Sequence, residues 1–155
     1  MPLIEHQEFI QASIERCFDL ARDVDIHTRT TESTKEKAVG GVTTGLLSAG
    51  DSVTWEAVHF GIKQRLTAKI TIMNRPYIFE DIMVQGAFHS FTHIHEFVEK
   101  DTGTLMIDRF QYKSPYGPIG VIADKLFLES YMRKFIVNRA QALRRIAESE
   151  EQVFH

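Results

Sequence analysis

The chain has 155 residues, 43% of them apolar and 25% charged. This suits a single globular domain over residues 1–155 and excludes disordered and fibrous classes. Eighteen Lys+Arg against twenty-one Asp+Glu leave a net charge of −3, which argues against a nucleic-acid partner, because binding a polyanion draws on a basic excess. Cys17 is the one cysteine, so an internal disulfide and a zinc ribbon are both excluded.

Leu3 to Ile10 mixes β-branched and aromatic residues in loose alternation and predicts a strand. Ser13 is placed to cap a short helix, with Glu15 in its first turn and Ile14, Cys17, Phe18 and Ala21 on one face. Asp23 is placed to cap a second short helix through about His27. Thr28 to Gly45 is polar and rich in threonine and glycine, a loop with a strand near Lys35–Val39. From there the chain reads as successive strands. They are Asp51–Phe60, Gln64–Ile72, Tyr77–Val84, Phe88–Glu99 and Thr104–Tyr112, separated by Gly61, Asn74-Arg75-Pro76, Gly86 and the hairpin turn Lys100-Asp101-Thr102-Gly103. Within Gln64–Ile72, Leu66, Ala68, Ile70 and Ile72 alternate with Arg65, Thr67, Lys69 and Thr71, the mark of a half-buried strand. Such short connections imply an antiparallel meander.

After Pro115, Gly117, Pro118 and Gly120 no breaker follows, so Val121 to about Glu148 predicts one helix roughly 42 Å long. Leu128, Met132, Phe135, Ala142 and Ile146 form its apolar stripe, interrupted by Arg139, and Val153-Phe154-His155 is expected to fray. A twisted meander of about six or seven strands has a concave face that must be covered, and this helix alone is long enough to cover it. The gap left between sheet and helix would take the excess of rings, eleven Phe, four Tyr and one Trp.

The segments Gly50-Asp51-Ser52-Val53-Thr54-Trp55, His59-Phe60-Gly61, Phe79-Glu80-Asp81, Gly86-Ala87-Phe88, His93-Ile94-His95-Glu96-Phe97 and Gly103-Thr104, continuing through Asp108, Tyr112, Pro115, Gly117 and Gly120, resemble the START/Bet v 1-like superfamily. Within it the chain is most similar to the small bacterial SRPBCC and polyketide cyclase/dehydrase-like proteins. The resemblance covers nearly the whole chain. It implies an α+β helix-grip fold, a curved antiparallel sheet wrapped around a long C-terminal helix, with two short helices after the first strand. That superfamily holds carriers, cyclases and hormone receptors, so the fold does not select a function.

Residues two apart on a strand share a face, so His89, Phe91, His93, His95 and Phe97 form one row. On the cavity wall its imidazoles would be buried, neutral partners for a ligand's polar end; on the outer face they would be structural. Trp55, Phe79, Phe91, Met106 and Phe110 are cavity walls or plain core. With His59, His93 and His95, and with Met132, Phe135 and Arg139 from the helix, they make up the expected ligand contacts. His93, His95, Asp81 and Asp108 are the candidates for proton transfer, although Asp81 or Asp108 could instead form an ion pair with Arg139. His93 and His95 could ligate a metal with help from His59, Asp81 or Asp108, but the spacing does not demand it, so no metal and no cofactor is assigned.

Gly117-Pro118-Ile119-Gly120 is no phosphate loop, since it lacks a Lys-Ser/Thr and Pro118 removes an N–H. Ser114, Ser130 and Cys17 lack the frame of a catalytic triad. No apolar run approaches the ~20 residues of a membrane span and the start has no signal-peptide layout. The expectation is a cytoplasmic protein without stable membrane insertion, monomer or homodimer, that encloses a hydrophobic or aromatic small molecule. A cyclase/dehydratase-type enzyme and a protein-interaction module are the alternatives.

Overall fold

The structure, a computed structural model, describes residues 2–153, with side chains through residue 149. Of the three residues expected to fray, Val153 is the last helical residue described, and Phe154 and His155 lie outside the described residues. Strand β1 (Leu3–Ile10) leads into α1 (Ile14–Ala21) and α2 (Val24–Thr30). Both helices start where a side-chain oxygen can satisfy free backbone N–H groups: Ser13 accepts from Arg16, and Asp23 accepts from Asp25 and Ile26. A single 3₁₀ turn, Glu32–Thr34, follows within the stretch expected to be loop.

Strands β2 (Lys37–Gly41), β3 (Ser52–His59), β4 (Ile62–Asn74), β5 (Ile78–Gln85), β6 (Ser90–Lys100) and β7 (Gly103–Lys113) complete a seven-stranded antiparallel sheet. Its order is β1-β7-β6-β5-β4-β3-β2, so the meander is closed by β1 at the β7 edge. The β6–β7 hairpin turns at Lys100–Gly103 as its sequence predicts. Gly103 is required there by space and not by a left-handed backbone: a Cβ would sit 2.2 Å from the Ile10 carbonyl oxygen. In β4 the simple alternation fails at one point. A register shift between Ile70 and Ile72 carries Ile72 outward, 53% exposed, and lets Met73 pack against the core instead. One bulge reverses the facing of everything beyond it.

The C-terminal helix begins earlier than Val121. It consists of α3 (Gly117–Ala123), a π-helical turn (Asp124–Leu128) and α4 (Glu129–Val153). Pro118 lies in the first turn, where its missing N–H costs no hydrogen bond, so the residue read as a breaker acts as a starter. At the wide turn, buried Asp124 accepts a hydrogen bond from the hydroxyl of buried Tyr112 on β7. The burial stripe of α4 also departs from expectation. Ala142 and Ile146 are only half-buried, while Ile136, Ala140, Leu143 and Ala147 are buried. The expected row at Leu128, Met132, Phe135 and Arg139 faces the hollow, and the neighbouring row of Ala140, Leu143 and Ala147 faces the closed core.

That division fixes where the hollow forms. Helix α4 packs on β1, α1 and α2. A closed core joins α1, α4 and the sheet there, with Phe18 edge-on to Phe79 and Phe97 at 5.3 and 5.4 Å. A second cluster, Ile4, Phe91, Phe110, Tyr112, Met132 and Ile136, joins the other end of the helix to the sheet. Between the two, α4 stands away from the concave side of β3 to β6. No helix among the described residues is long and apolar enough to cross a membrane.

Candidate functional site

The space between sheet and helix is a cavity of about 780 Å³, within the usual range for small-molecule pockets. Its walls are inward-facing strand residues two apart: Trp55, Ala57 and His59 from β3, Leu66, Ala68 and Ile70 from β4, Phe79 and Asp81 from β5, and Phe91, His93 and His95 from β6. Phe110 of β7 and Leu128, Tyr131, Met132, Phe135, Ile136 and Arg139 of the helix close it. Its mouth is formed by Phe60, Tyr116, Ile119 and Phe127, all lining residues that are also exposed, Tyr116 by 83%. Phe60 sits at φ 53° in the β3–β4 turn, an unusual conformation for a bulky residue, and its ring lies 4.5 Å from that of Tyr131.

Of the residues expected to meet a ligand, Trp55, His59, Phe79, Phe91, His93, His95, Phe110, Met132, Phe135 and Arg139 line the cavity. Met106 does not. It is 2% exposed and sits in the closed core with Phe18, Phe97 and Leu143. It lies on the inner face of β7, but that part of the face lies beneath α1, which is the plain-core alternative for this residue. The histidine row faces inward at His93 and His95, whereas His89 precedes β6 and is exposed.

The polar end of the cavity is built on three adjacent strands. In the pairing of β5, β6 and β7, Asp81 stands opposite His93, and His95 stands opposite Asp108. His93 Nε2–H donates to Asp108 Oδ1 at 2.9 Å, and His95 Nε2–H donates to Asp81 Oδ2 at 2.9 Å. A carboxylate only accepts, so these contacts place a proton on both Nε2 atoms. His95 Nδ1 lies 3.3 Å from Asp108 Oδ1 without hydrogen-bond geometry. The two imidazoles are 3.8 Å apart, and His95 is stacked on Phe79 at 4.1 Å.

Burial disfavours charge on both rings, but they respond differently. For His95 the flanking carboxylates of Asp108 and Asp81 outweigh burial and raise its pKa above the ordinary histidine value. For His93, burial and the charge on His95 outweigh the pull of Asp108, and its pKa is lowered. Asp108 and Asp81 are both held below the usual carboxylate range. Burial opposes this, and hydrogen bonds and charge from the imidazoles overcome it, with Arg139 adding to the effect on Asp81.

Arg139 makes no ion pair with Asp81 or Asp108, because His95 and His93 have taken those carboxylates. Its Nη2 donates to the Ala21 carbonyl at 3.3 Å, and its Nε has no partner. Among the described residues, the buried polar side-chain atoms without a hydrogen bond are Arg139 Nε, His95 Nδ1 and Ser114 Oγ, and all three belong to side chains that line the cavity.

Sequence reasoning missed a second polar group. His27 of α2 stacks on Trp55 at 4.1 Å and meets Glu36 at 3.2 Å, and both His27 and Glu36 line the cavity. Burial lowers the pKa of His27 despite Glu36, while His27 holds Glu36 low against its own burial. No local pattern pairs these two residues. Tyr131 was also missed, although it stands four residues before Phe135 and therefore on the same helix face. Its hydroxyl meets His59 Nδ1 at 2.6 Å.

No protein-family model and no curated protein matches the sequence. Solved structures do match in fold. TTHA0849 from Thermus thermophilus is 19% identical, with a TM-score of 0.77 over 93% of this chain and 95% of that one. Ara h 8.0201 is 13% identical, with a TM-score of 0.68 over 96% and 98%. The major latex-like protein 151 of Panax ginseng is 13% identical, with a TM-score of 0.70 over 94% and 97%. Likeness at these identities is a likeness of backbone path. Seven antiparallel strands curved about one long terminal helix, with two short helices inserted after the first strand, give this chain the helix-grip fold of the Bet v 1-like proteins.

Proposed function

We propose that the protein binds a hydrophobic or aromatic small molecule, of lipid or polyketide-like character, in the cavity between sheet and C-terminal helix. The observation that carries this reading is the mismatch inside the cavity. Its walls are largely aromatic and aliphatic, yet buried donors and acceptors of Arg139, His95 and Ser114 are left without partners. An unpaired buried polar atom costs about 1–3 kcal/mol, and an occupant carrying an oxygen acceptor would remove that cost at Arg139. The apolar body of such a guest would lie against Leu66, Ala68, Phe88 and Phe135, with its polar end at Arg139.

The test is titration with anilinonaphthalene sulfonate, an aromatic dye with an anionic head, alongside native mass spectrometry for a co-purified guest. The dye should bind one per chain, and Ala68→Trp, which fills the middle of the cavity, should abolish binding while the far-UV circular dichroism stays unchanged. Equal binding by the folded Ala68→Trp protein would place the dye elsewhere and end the reading.

A second reading, proton-transfer catalysis of the cyclase/dehydratase kind, is favoured by the His93–Asp108 contact. A carboxylate that orients an imidazole from behind leaves the other ring nitrogen free as a base. It predicts turnover that disappears in His93→Ala and His95→Ala proteins that still fold. Unchanged rates in both would exclude these residues from the chemistry.

A further inference from the structure

We propose that Asp81, His93 and His95 form a binding site for one divalent transition-metal cation, of the zinc or ferrous class, at the polar end of the cavity. One ligating atom from each of the three residues lies within 4.8 Å of the others. His95 Nε2 and Asp81 Oδ2, at 2.9 Å, are already near the spacing of two ligands on one ion, given metal–ligand bonds of about 2.0–2.2 Å. The sheet itself brings the ligands together, since Asp81 faces His93 across the β5–β6 pairing and His95 is two residues further along the same face. All three line the cavity, so an ion has access without unfolding.

The surroundings fit a metal site better than a simple ion pair. Asp108 lies behind both rings, accepting from His93 Nε2 at 2.9 Å and 3.3 Å from His95 Nδ1. Metal-ligating histidines ordinarily have such an outer carboxylate, which fixes ring orientation and raises ligand basicity. With Asp108 on that side, His93 Nδ1 and His95 Nε2 are the ligating nitrogens, and the proton that His95 Nε2 donates to Asp81 in the metal-free protein is released when the ion binds. Charge agrees as well. Asp81, Asp108 and Glu36 bring three carboxylates to this region against the guanidinium of Arg139, so a dication exchanged for the proton of His95 leaves the region neutral. Two imidazoles and a carboxylate, with Cys17 buried in the closed core instead, make a nitrogen–oxygen set suited to zinc or ferrous iron. Such a set leaves a coordination position open toward the cavity.

The inference is independent of the guest. The dye titration is run without metal, and the metal titration is run without dye. Equilibrium dialysis of the whole chain against zinc chloride should load one zinc per chain. In the loaded protein, the ring ¹⁵N resonances of His93 and His95 should shift while those of His6, His27 and His59 stay in place. Asp81→Asn keeps the size of the side chain and, lying at the edge of the cluster, leaves the fold intact by circular dichroism; it should weaken zinc binding at least tenfold. Asp108→Asn should weaken it by roughly 10- to 100-fold through loss of ring orientation. Substoichiometric zinc in the wild-type chain, ring resonances that do not move, or full affinity in Asp81→Asn would each overturn the proposal.

Discussion

Asp108→Ala is expected to destabilise the protein by about 3–5 kcal/mol, the usual cost of removing one partner from a buried ionic cluster. At this chain length that corresponds to a fall in melting temperature of roughly 6–20 °C. Asp108 is 2% exposed, and it is the acceptor that satisfies His93 Nε2–H and faces His95 Nδ1. Without it, one donor is orphaned and the charge on His95 keeps only Asp81. Urea denaturation of the two proteins measures the difference.

The pH dependence of that difference has a definite sign. Asp108 has a lowered pKa, so its contribution is present above the unfolded carboxylate value of about 3.9 and is lost as pH falls toward its folded value. His95 has a raised pKa, so its contribution is complete below the unfolded histidine value of about 6.5 and is lost as pH rises through its folded value. The gap between wild type and Asp108→Ala should therefore be widest between about pH 4 and 6.5 and narrow on both sides. A difference that stays constant from strongly acid to mildly alkaline pH would show that Asp108 acts only by filling space.

Arg139→Met should weaken binding of anilinonaphthalene sulfonate by roughly 10- to 100-fold, the equivalent of a hydrogen bond to a charged group worth about 1.5–3 kcal/mol. It should change the stability of the guest-free protein far less. The guanidinium is 8% exposed, holds one carbonyl at 3.3 Å and leaves Nε unpaired. Methionine replaces its methylenes with an adaptable apolar chain and removes a charge that is poorly paired. Equal dye affinity in the two proteins would show that the guest's head does not reach Arg139. A large loss of stability would instead assign the guanidinium to the fold, through its attraction to Asp81 and Glu36.

Features that depend on a few neighbouring residues were legible in the sequence. The caps at Ser13 and Asp23, the Lys100–Gly103 hairpin, the shared face of Phe91, His93 and His95, and the meander itself are readable because capping, turn chemistry and two-residue alternation act over four to eight residues. The order of elements then implied the wrap of sheet around helix, and the resemblance agreed with it. Where a reading failed, a distant contact had overridden a local rule. A bulge turned Ile72 outward, the position of α1 put Met106 in closed core, and the first-turn role of Pro118 depended on where the helix began.

The division at the site follows the same physics. Backbone period was enough to put His93 and His95 on one face of their strand and Arg139 on the apolar stripe of the helix, because side-chain direction follows from it; that this strand face, with Asp81 and Asp108, turns inward was decided by the fold. Which of them meet is a matter of three-dimensional packing: Asp108 with His93, Asp81 with His95, Glu36 with His27, and Arg139 left over. Pairing depends on strand register and on distances of a few ångströms between segments far apart in the chain, and no local pattern of residues carries that information. The cavity arises at the same level, because a helix seated on β1, α1 and α2 cannot also cover β3 to β6.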